Sequence, residues 1–382
     1  MITQTSILDP RFHSQNRTEF VLPSNRPILS YLRLVDFGCE GVTQNLGDST
    51  PAYLDSLGVM SLIKRVTLLS NNQQIDVIND VKRVMNFRNR IANPDDQADL
   101  NREKVATNLA LVPTADGYAR PSEDKAVTDK YRVNLGALFP SLATMDLVAF
   151  DMPRIVIEYE TDKTKIFSTL EHSMPLTFSI REPKLIYEEV HNGGSMVNEF
   201  QKQTHRFLAY ESERMSVPLI PGANRQTTSQ RLRFADGKFV KDLNIQTEEN
   251  ELTLGNNSSY YSKLQHNEAI QLRVNNRQLL MFNGVSNPQQ KLAYTYDSVG
   301  ELTLYQGQQL FAPDDNDYAQ NIGTLGFHSY LNIDILQRIE NLQLEFSRDP
   351  NEGHNDALTL HVIGRVERVV AFKNNNLVLG YG

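Results

Sequence analysis

Ile155–Asp162 (IVIEYETD) is the segment that decides the expected fold, because a similar segment, Leu342–Asp349 (LQLEFSRD), recurs in the second half of the chain. A second matching pair follows downstream, Leu176–Ile180 (LTFSI) and Leu358–Val362 (LTLHV). Both separations are nearly equal and close to half of the 382 residues. Strand-like segments that keep their order and spacing indicate one β-domain used twice in tandem. Coincidence is the alternative, since any two amphipathic strands look alike.

Length and composition favour two folded, soluble domains. The chain is 40% hydrophobic and 22% charged, and its length suits two domains of about 190 residues each. We expect a polar N-terminal arm at residues 1–20, a first domain at 21–205 and a second at 206–382. No segment approaches the ~20 consecutive apolar residues of a transmembrane helix. The N-terminus also lacks the basic and apolar regions of a secretory signal.

Charge and cysteine content exclude several function classes. The net charge of −8 argues against a wrapped nucleic-acid partner, because neutralising phosphates requires clustered Lys and Arg. Cys39 is the single cysteine, so neither an intrachain disulfide nor a cysteine-based zinc site can form. This usage is typical of a protein that folds in a reducing cytoplasm.

The fold class predicted is all-β, with two tandem antiparallel jelly-roll sandwiches and one or a few short helices. Short strands separated by turn signals every ~8–12 residues are typical of sandwiches and barrels. The helix is expected at Ile75–Arg88, where apolar residues recur at helical spacing. A strand at Leu62–Leu69 and a turn at Asn71–Asn72 precede it.

Two hairpins are expected in the second half. Leu232–Phe234 and Lys238–Val240 flank Ala235-Asp236-Gly237, and Asp-Gly is a favoured hairpin turn. The alternating residues Ile270, Leu272 and Val274 lead to Asn275–Asn276, after which Leu279–Phe282 returns. Further strands are expected at Asn108–Val112 and Leu302–Tyr305.

A search for catalytic motifs finds no nucleophile elbow, phosphate loop, zinc-protease or dinucleotide-binding signature. Asp314, Asp315 and Asp317 are the best cation candidates, although their spacing is not that of an EF-hand. The residues weighed for other chemistry are Cys39 as a nucleophile, His354 with His361 as metal ligands, and Glu158 with Glu160 or Glu188 with Glu189 as glycosidase acids. Surface or structural roles are the simpler interpretation of each. We therefore predict no catalytic, cofactor or metal site.

Several segments resemble the double jelly-roll major capsid proteins of tectiviruses, adenoviruses and large eukaryotic DNA viruses. They are Gly58–Leu69 running into Ile75–Arg88, then Arg132–Leu142 followed by Met152–Ile157, and in the second half Gly237–Leu243 and Leu272–Leu279. The resemblance covers most of residues 20–382, and the order of the segments and their tandem spacing carry it.

The resemblance implies a major capsid protein rather than an enzyme. Such chains form homotrimers whose six jelly rolls make a pseudo-hexameric capsomer that tiles an icosahedral shell. The implied partners are the chain itself, neighbouring capsomers, and penton and minor capsid proteins in a virion assembled from chains made in the host cytoplasm. Contact of the arm at residues 1–20 with an inner membrane is a hypothesis. The alternatives are a carbohydrate-binding or carbohydrate-active double sandwich and a trimeric receptor-binding or fibre protein.

Overall fold

The computed structural model describes residues 2–22, 28–45, 53–54, 62–84, 112–114, 117–119, 127–143, 152–162, 166–168, 176–191, 199, 202–218, 220, 225–249, 268–280, 284–286, 290, 293–295, 330–348, 357–373 and 376–382. The chain divides into two compact units. Unit 1 draws mainly on Met1–Asn86, Pro94–Ala209 and Arg368–Gly380, and unit 2 mainly on Tyr210–Glu367.

The described part of the first half of the chain consists almost entirely of strands. They are β1 Ile2–Leu8, β2 Phe12–Ser14, β3 Arg17–Val21, β4 Ile28–Asn45, β5 Tyr53–Leu54, β6 Ile63–Ser70, β7 Gln73–Asn79, β8 Val112–Thr114, β9 Gly117–Ala119, β10 Val127–Asn134, β11 Arg154–Tyr159, β12 Phe167–Ser168 and β13 Leu176–His191. A one-turn helix, α1 (Leu135–Leu138), and a 3-10 helix, Pro140–Ala143, lie between β10 and β11. Two sheets run in the orders β1-β13-β4-β10 and β2-β3-β11-β6-β7.

The second half repeats this plan. Its strands are β14 His205–Val217, β15 Gln226–Arg231, β16 Phe239–Glu249, β17 Ala269–Val274, β18 Arg277–Gln278, β19 Tyr330–Arg338, β20 Leu342–Arg348, β21 Leu358–Lys373 and β22 Asn376–Tyr381. The two sheets run in the orders β14-β21-β16-β19 and β15-β20-β17-β18, and β22 pairs with β21.

The strand orders of the two halves are identical. Strands β1, β3, β4, β6, β7, β10, β11 and β13 correspond in chain order to β14–β21. In each half one sheet joins the first, eighth, third and sixth strands, and the other joins the second, seventh, fourth and fifth. This arrangement is a jelly roll, so the predicted fold class is confirmed. The repeated segments of the sequence are β11 with β20, and the starts of β13 and β21, which occupy equivalent positions.

Alternating apolar residues place the core between the two sheets of each unit. In unit 1, Ile155, Ile157 and Tyr159 of β11 are buried, and Phe37 of β4 contacts both Phe20 and Tyr159, with ring centroids 6.2 and 6.3 Å apart. In unit 2 the alternating residues of β20 belong to one buried cluster with residues of β16, β17, β19 and β21. Burying one face of each strand is the main source of sandwich stability.

Residues 2–20, which belong to the predicted polar arm, form strands β1 and β2 and most of β3. Strand β1 pairs with β13 along its whole length, from Ile2 opposite His191 to Leu8 opposite Leu185. Strand β3 pairs with β11, which buries Thr18 and Phe20. The segment has little apolar periodicity because β1 lies at a sheet edge and is largely exposed. The domain bounds 21–205 and 206–382 remain predictions.

The predicted helix at Ile75–Arg88 is wrong at its start. Asn71 and Asn72 have φ values of 43° and 67°, as a two-residue hairpin turn requires, and β7 then pairs with β6. Helical geometry appears only at residues 81–84, and the rest of the predicted helix lies outside the described residues. Both faces of β7 are buried at Ile75–Ile78, and the apolar residues Ile75 and Ile78 also match a helical period with Val81 and Val84.

The Asp-Gly hairpin predicted at Leu232–Val240 is also wrong. Strands β15 and β16, which flank this turn, belong to different sheets. Gly237 has φ +73°, and its N–H donates to the carbonyl of Ile339 at 2.7 Å, so the turn carries the chain from one sheet to the other. The second predicted hairpin is confirmed at its turn, because Asn275 and Asn276 connect β17 to β18. The strand predicted at Leu302–Tyr305 and most of that at Asn108–Val112 lie outside the described residues.

Candidate functional site

Cys39 does not have the environment of a nucleophile. It lies on β4 opposite Tyr131 of β10 and is buried. Burial, and to a smaller extent the charge of Glu40, raises the pKa of the thiol to about 12. Because the thiolate is the reactive form, Cys39 stays protonated and inert near neutral pH.

Glu158 and Glu160, which were considered as glycosidase acids, have separate partners. Glu158 forms an ion pair with Arg65 of β6, with Nη1 and Oε1 3.8 Å apart. The Glu160 carboxylate turns back on its own chain and accepts the N–H groups of residues 161 and 162. Glu188 and Glu189 are consecutive residues of β13, opposite Tyr31 and Ser30 of β4, and the Glu189 side chain lies outside the described part of the structure.

An outward Arg–Glu pair recurs in unit 2 between the equivalent strands. Arg273 of β17 and Glu345 of β20 approach to 3.0 Å, as Arg65 and Glu158 do between β6 and β11. Exposed pairs of this kind contribute little to stability. Their repetition supports a shared origin of the two units and a surface role for both glutamates.

The structure describes one of the metal candidates from the sequence, His361. His361 is buried on β21, while His354, Asp314, Asp315 and Asp317 lie outside the described residues. Across the described part of the chain, no group of three or more His, Cys, Asp or Glu side chains could hold a metal ion. No described helix is both long enough and apolar enough to cross a membrane.

A polar cluster joins the two sheets of unit 1, and sequence reasoning missed it because its residues fall in the predicted arm. The Gln15 amide donates to the carbonyl of Ile180 and accepts from its N–H, at 3.3 and 3.0 Å. The Thr18 hydroxyl lies 2.7 Å from the hydroxyl of Tyr159 and 2.8 Å from Nδ1 of His13. Burial raises the pKa of Tyr159 well above its usual range. These contacts hold the β2–β3 hairpin against β13.

Arg368 anchors the C-terminal part of β21 within unit 1. Its Nη1 donates to the carbonyl of Ile75 at 2.9 Å. Neighbouring Asp76 is fully buried, and burial raises the pKa of its carboxyl, although hydrogen bonds from Ser141 and the charge of Arg368 act in the opposite direction. The Ser141 N–H donates to Oδ2 of Asp76 at 3.1 Å. These contacts place Arg368, Asp76 and Ser141 in one buried cluster of unit 1.

The two ends of the unit 2 jelly roll differ in the length of the connections between strands. Because successive strands are antiparallel, successive connections lie at alternating ends. At one end, unit 2 has only the short connections 232–238, 275–276 and 339–341. The opposite ends of these strands lead into the longest connections of the unit in sequence, residues 250–268 and 279–329.

The short-connection end of unit 2 is held together by hydrogen bonds. The Asn275 carboxamide accepts the N–H groups of Glu340 and Asn341, at 2.8 and 3.2 Å, and donates to the carbonyl of Arg338. Arg338 Nε in turn donates to the carbonyl of Gly237 at 3.1 Å. All three turns are therefore tied to one another, and insertions are best accommodated at the opposite end.

Large apolar side chains are exposed at several points of the described surface. They are Ile7, Phe12, Met152, Ile220, Leu336, Val378 and Tyr381. Single exposed apolar residues are common on folded proteins. Their position on particular strands therefore matters more than their number.

Two jelly rolls in one chain, with the same strand order and no catalytic constellation among the described residues, define a double jelly-roll protein. No protein-family model matches the chain, and no curated protein matches it.

Solved structures with this fold include viral proteins. A chain of the Sputnik virophage cryo-EM structure is similar over 100% of this chain and 88% of its own length, with a TM-score of 0.65 and 11% identity. The mavirus major capsid protein matches over 99% and 90%, with a TM-score of 0.60 and 11% identity. The Faustovirus major capsid protein matches over 97% and 90%, with a TM-score of 0.58 and 7% identity. At such identities the likeness concerns the fold, and it spans both jelly rolls.

Proposed function

We propose that this chain is a major capsid protein. The observation that carries the proposal is the full-length correspondence of two identically ordered jelly rolls with proteins whose names identify them as major capsid proteins. The chain would act as a structural component of a virion rather than as an enzyme. An isolated sandwich is a fold with many uses, but the tandem arrangement over the whole chain is much more restricted.

The proposed assembly is a homotrimer. Three copies of a duplicated domain supply six similar jelly rolls, so a threefold block has nearly sixfold edges and can tile an icosahedral shell beside neighbouring capsomers. Ring closure by identical subunits needs one repeated head-to-tail contact.

Further partners follow from the same proposal. Penton and minor capsid proteins would fill the positions that a pseudo-hexamer cannot occupy, and synthesis would take place in the host cytoplasm. Contact of the N-terminal segment with an inner membrane would be made by strands β1–β3 and their connections, to which residues 2–21 belong.

Light scattering on the purified full-length chain tests the proposal. We expect a particle of three times the 43.4 kDa chain mass, which should assemble further into shells or sheets visible by negative-stain electron microscopy. A stable monomer that forms no larger assembly over a range of salt and protein concentrations would refute the proposal. A polysaccharide-binding screen on that monomer would then test the carbohydrate alternative.

A further inference from the structure

Two edge strands of the described sheets differ from the others in charge. Most described edge strands of five or more residues carry charged side chains, as β7, β10, β14, β15 and β19 do. Strands β1 (ITQTSIL) and β22 (NLVLGY) carry none. Charges on edge strands normally prevent pairing with another chain, so these two edges lack the usual protection.

Strand β22 has the composition of a strand that is buried on both faces. Leu377, Val378 and Leu379 form a continuous apolar run, which is typical of strands covered on two sides. Within one chain, however, Val378 and Tyr381 remain 47% and 48% exposed, and no described side chain of β22 is fully buried. The sequence is therefore suited to a more enclosed environment than a single chain provides.

The end of β22 is held in place by its own chain. The Lys238 ammonium lies 4.2 Å from the ring centroid of Tyr381 and 2.7 Å from a carboxylate oxygen of Glu211. The carbonyl of Gly382 accepts the Phe239 N–H at 3.2 Å. An edge that is ordered in advance loses little conformational entropy when another strand binds to it.

Strand β1 has matching properties. It is seven residues long, against six for β22, and among the described strands it pairs only with β13. Ile7 is 68% exposed, the largest value among the exposed apolar side chains of the described residues. An ion pair between Asp9 and Lys184 fixes the end of the strand.

We propose that β1 of one subunit pairs with β22 of a second copy of this chain, which continues the sheets across the subunit boundary. The inference rests on the proposed function, because it identifies the contact that closes the trimer. Two different strands on each chain give a head-to-tail interface, which a ring of three requires. Backbone hydrogen bonds would supply affinity, and the apolar side chains of both strands would become buried.

Charge substitution at the two edges tests the pairing. Val378→Lys and Ile7→Lys should each convert the trimer into monomer at micromolar concentration, because both place an ammonium group in the new sheet. Ile220→Lys changes a side chain of similar exposure (51%) outside both strands and should leave the trimer intact, as should Val378→Thr. Far-ultraviolet circular dichroism checks that each subunit stays folded, and Ile7→Lys provides the test if Val378→Lys does not fold.

The outcomes separate the inference from the proposed function. If the wild-type chain is itself monomeric, the proposed function fails. If the wild type is trimeric and the folded Lys variants remain trimeric, or if Ile220→Lys dissociates equally, the β1–β22 pairing is refuted and the capsid proposal stands.

Cross-linking provides a direct second measurement. The double variant Ile7→Cys/Val378→Cys should give an oxidised ladder of up to three chain masses, without interference from the buried Cys39. Either single variant should give no ladder. A covalent dimer from a single variant would instead indicate pairing of like strands and would overturn the proposal.

Discussion

Removing the positive partner of the buried Asp242–Arg365 ion pair should destabilise unit 2 more than removing the negative one. Arg365 Nε donates to Oδ1 of Asp242 at 2.7 Å, and Nη2 bonds to Oδ2. Burial lowers the pKa of Arg365, but the hydrogen bonds and charge of Asp242, with smaller contributions from Tyr210 and Asp334, raise it overall. The guanidinium therefore faces two carboxylates.

The magnitude follows from the burial of each partner. The Asp242 side chain is 3% exposed and that of Arg365 is 24% exposed. In Arg365→Met, the more deeply buried carboxylate of Asp242 would lie near Asp334 without a positive partner. This should lower the free energy of unfolding by about 3–5 kcal/mol. Asp242→Asn keeps the shape of the side chain, and the Arg365 guanidinium still reaches water and Asp334. This substitution should lower the free energy of unfolding by about 1–3 kcal/mol.

Urea unfolding followed by circular dichroism measures both losses. For a domain of this size each kcal/mol corresponds to about 2–4 °C in Tm. The control is Arg273→Met, which breaks the exposed pair with Glu345 and should cost about 1 kcal/mol or less. The reasoning is wrong if Arg365→Met costs no more than Asp242→Asn, or no more than the control.

Three further predictions concern single sites. Gly364→Ala should destabilise unit 2 by about 1–3 kcal/mol in urea titrations, because an added Cβ would lie 2.5 Å from the Phe234 ring; a neutral effect would contradict this packing. Cys39 should resist iodoacetamide at pH 8 in the native protein and react only on unfolding, and rapid native labelling would contradict its burial. The folded-state pKa of Asp76 is raised, so its neutral carboxyl makes its full contribution to stability at pH values below the pKa of the unfolded state. That contribution is lost as the pH rises through the pKa of the folded state. The wild type should therefore lose stability relative to Asp76→Asn as the pH rises through this range. A constant difference between the urea midpoints of the two proteins at all pH values would contradict this.

The local pattern of the chain was sufficient for the class of fold. Strands β11 and β20 alternate apolar and polar residues with period two, and their order relative to β13 and β21 is preserved in both halves. The Asn275–Asn276 turn could also be predicted, because asparagine tolerates the positive φ values of 51° and 65° found there. These signals are contained in a few neighbouring residues, so they survive in the sequence alone.

The pairing of strands could not be predicted in the same way. Residues 75–78 fit a helical period and a doubly buried strand equally well, and only their position beside β6 makes them β7. Similarly, Asp236–Gly237 resembles a hairpin turn, but Ile339, about a hundred residues later, accepts its backbone hydrogen bond.

Residues 2–21 show most clearly which features the sequence determines and which the tertiary structure determines. Their composition indicates a polar arm, yet β13, which follows much later in the chain, supplies the backbone partners that make β1 a strand. The sequence thus determined the β class and its duplication, because hydrophobic period and turn chemistry are local. The tertiary structure alone decided which segments pair and which edges stay open, since those depend on hydrogen bonds between residues far apart in the chain.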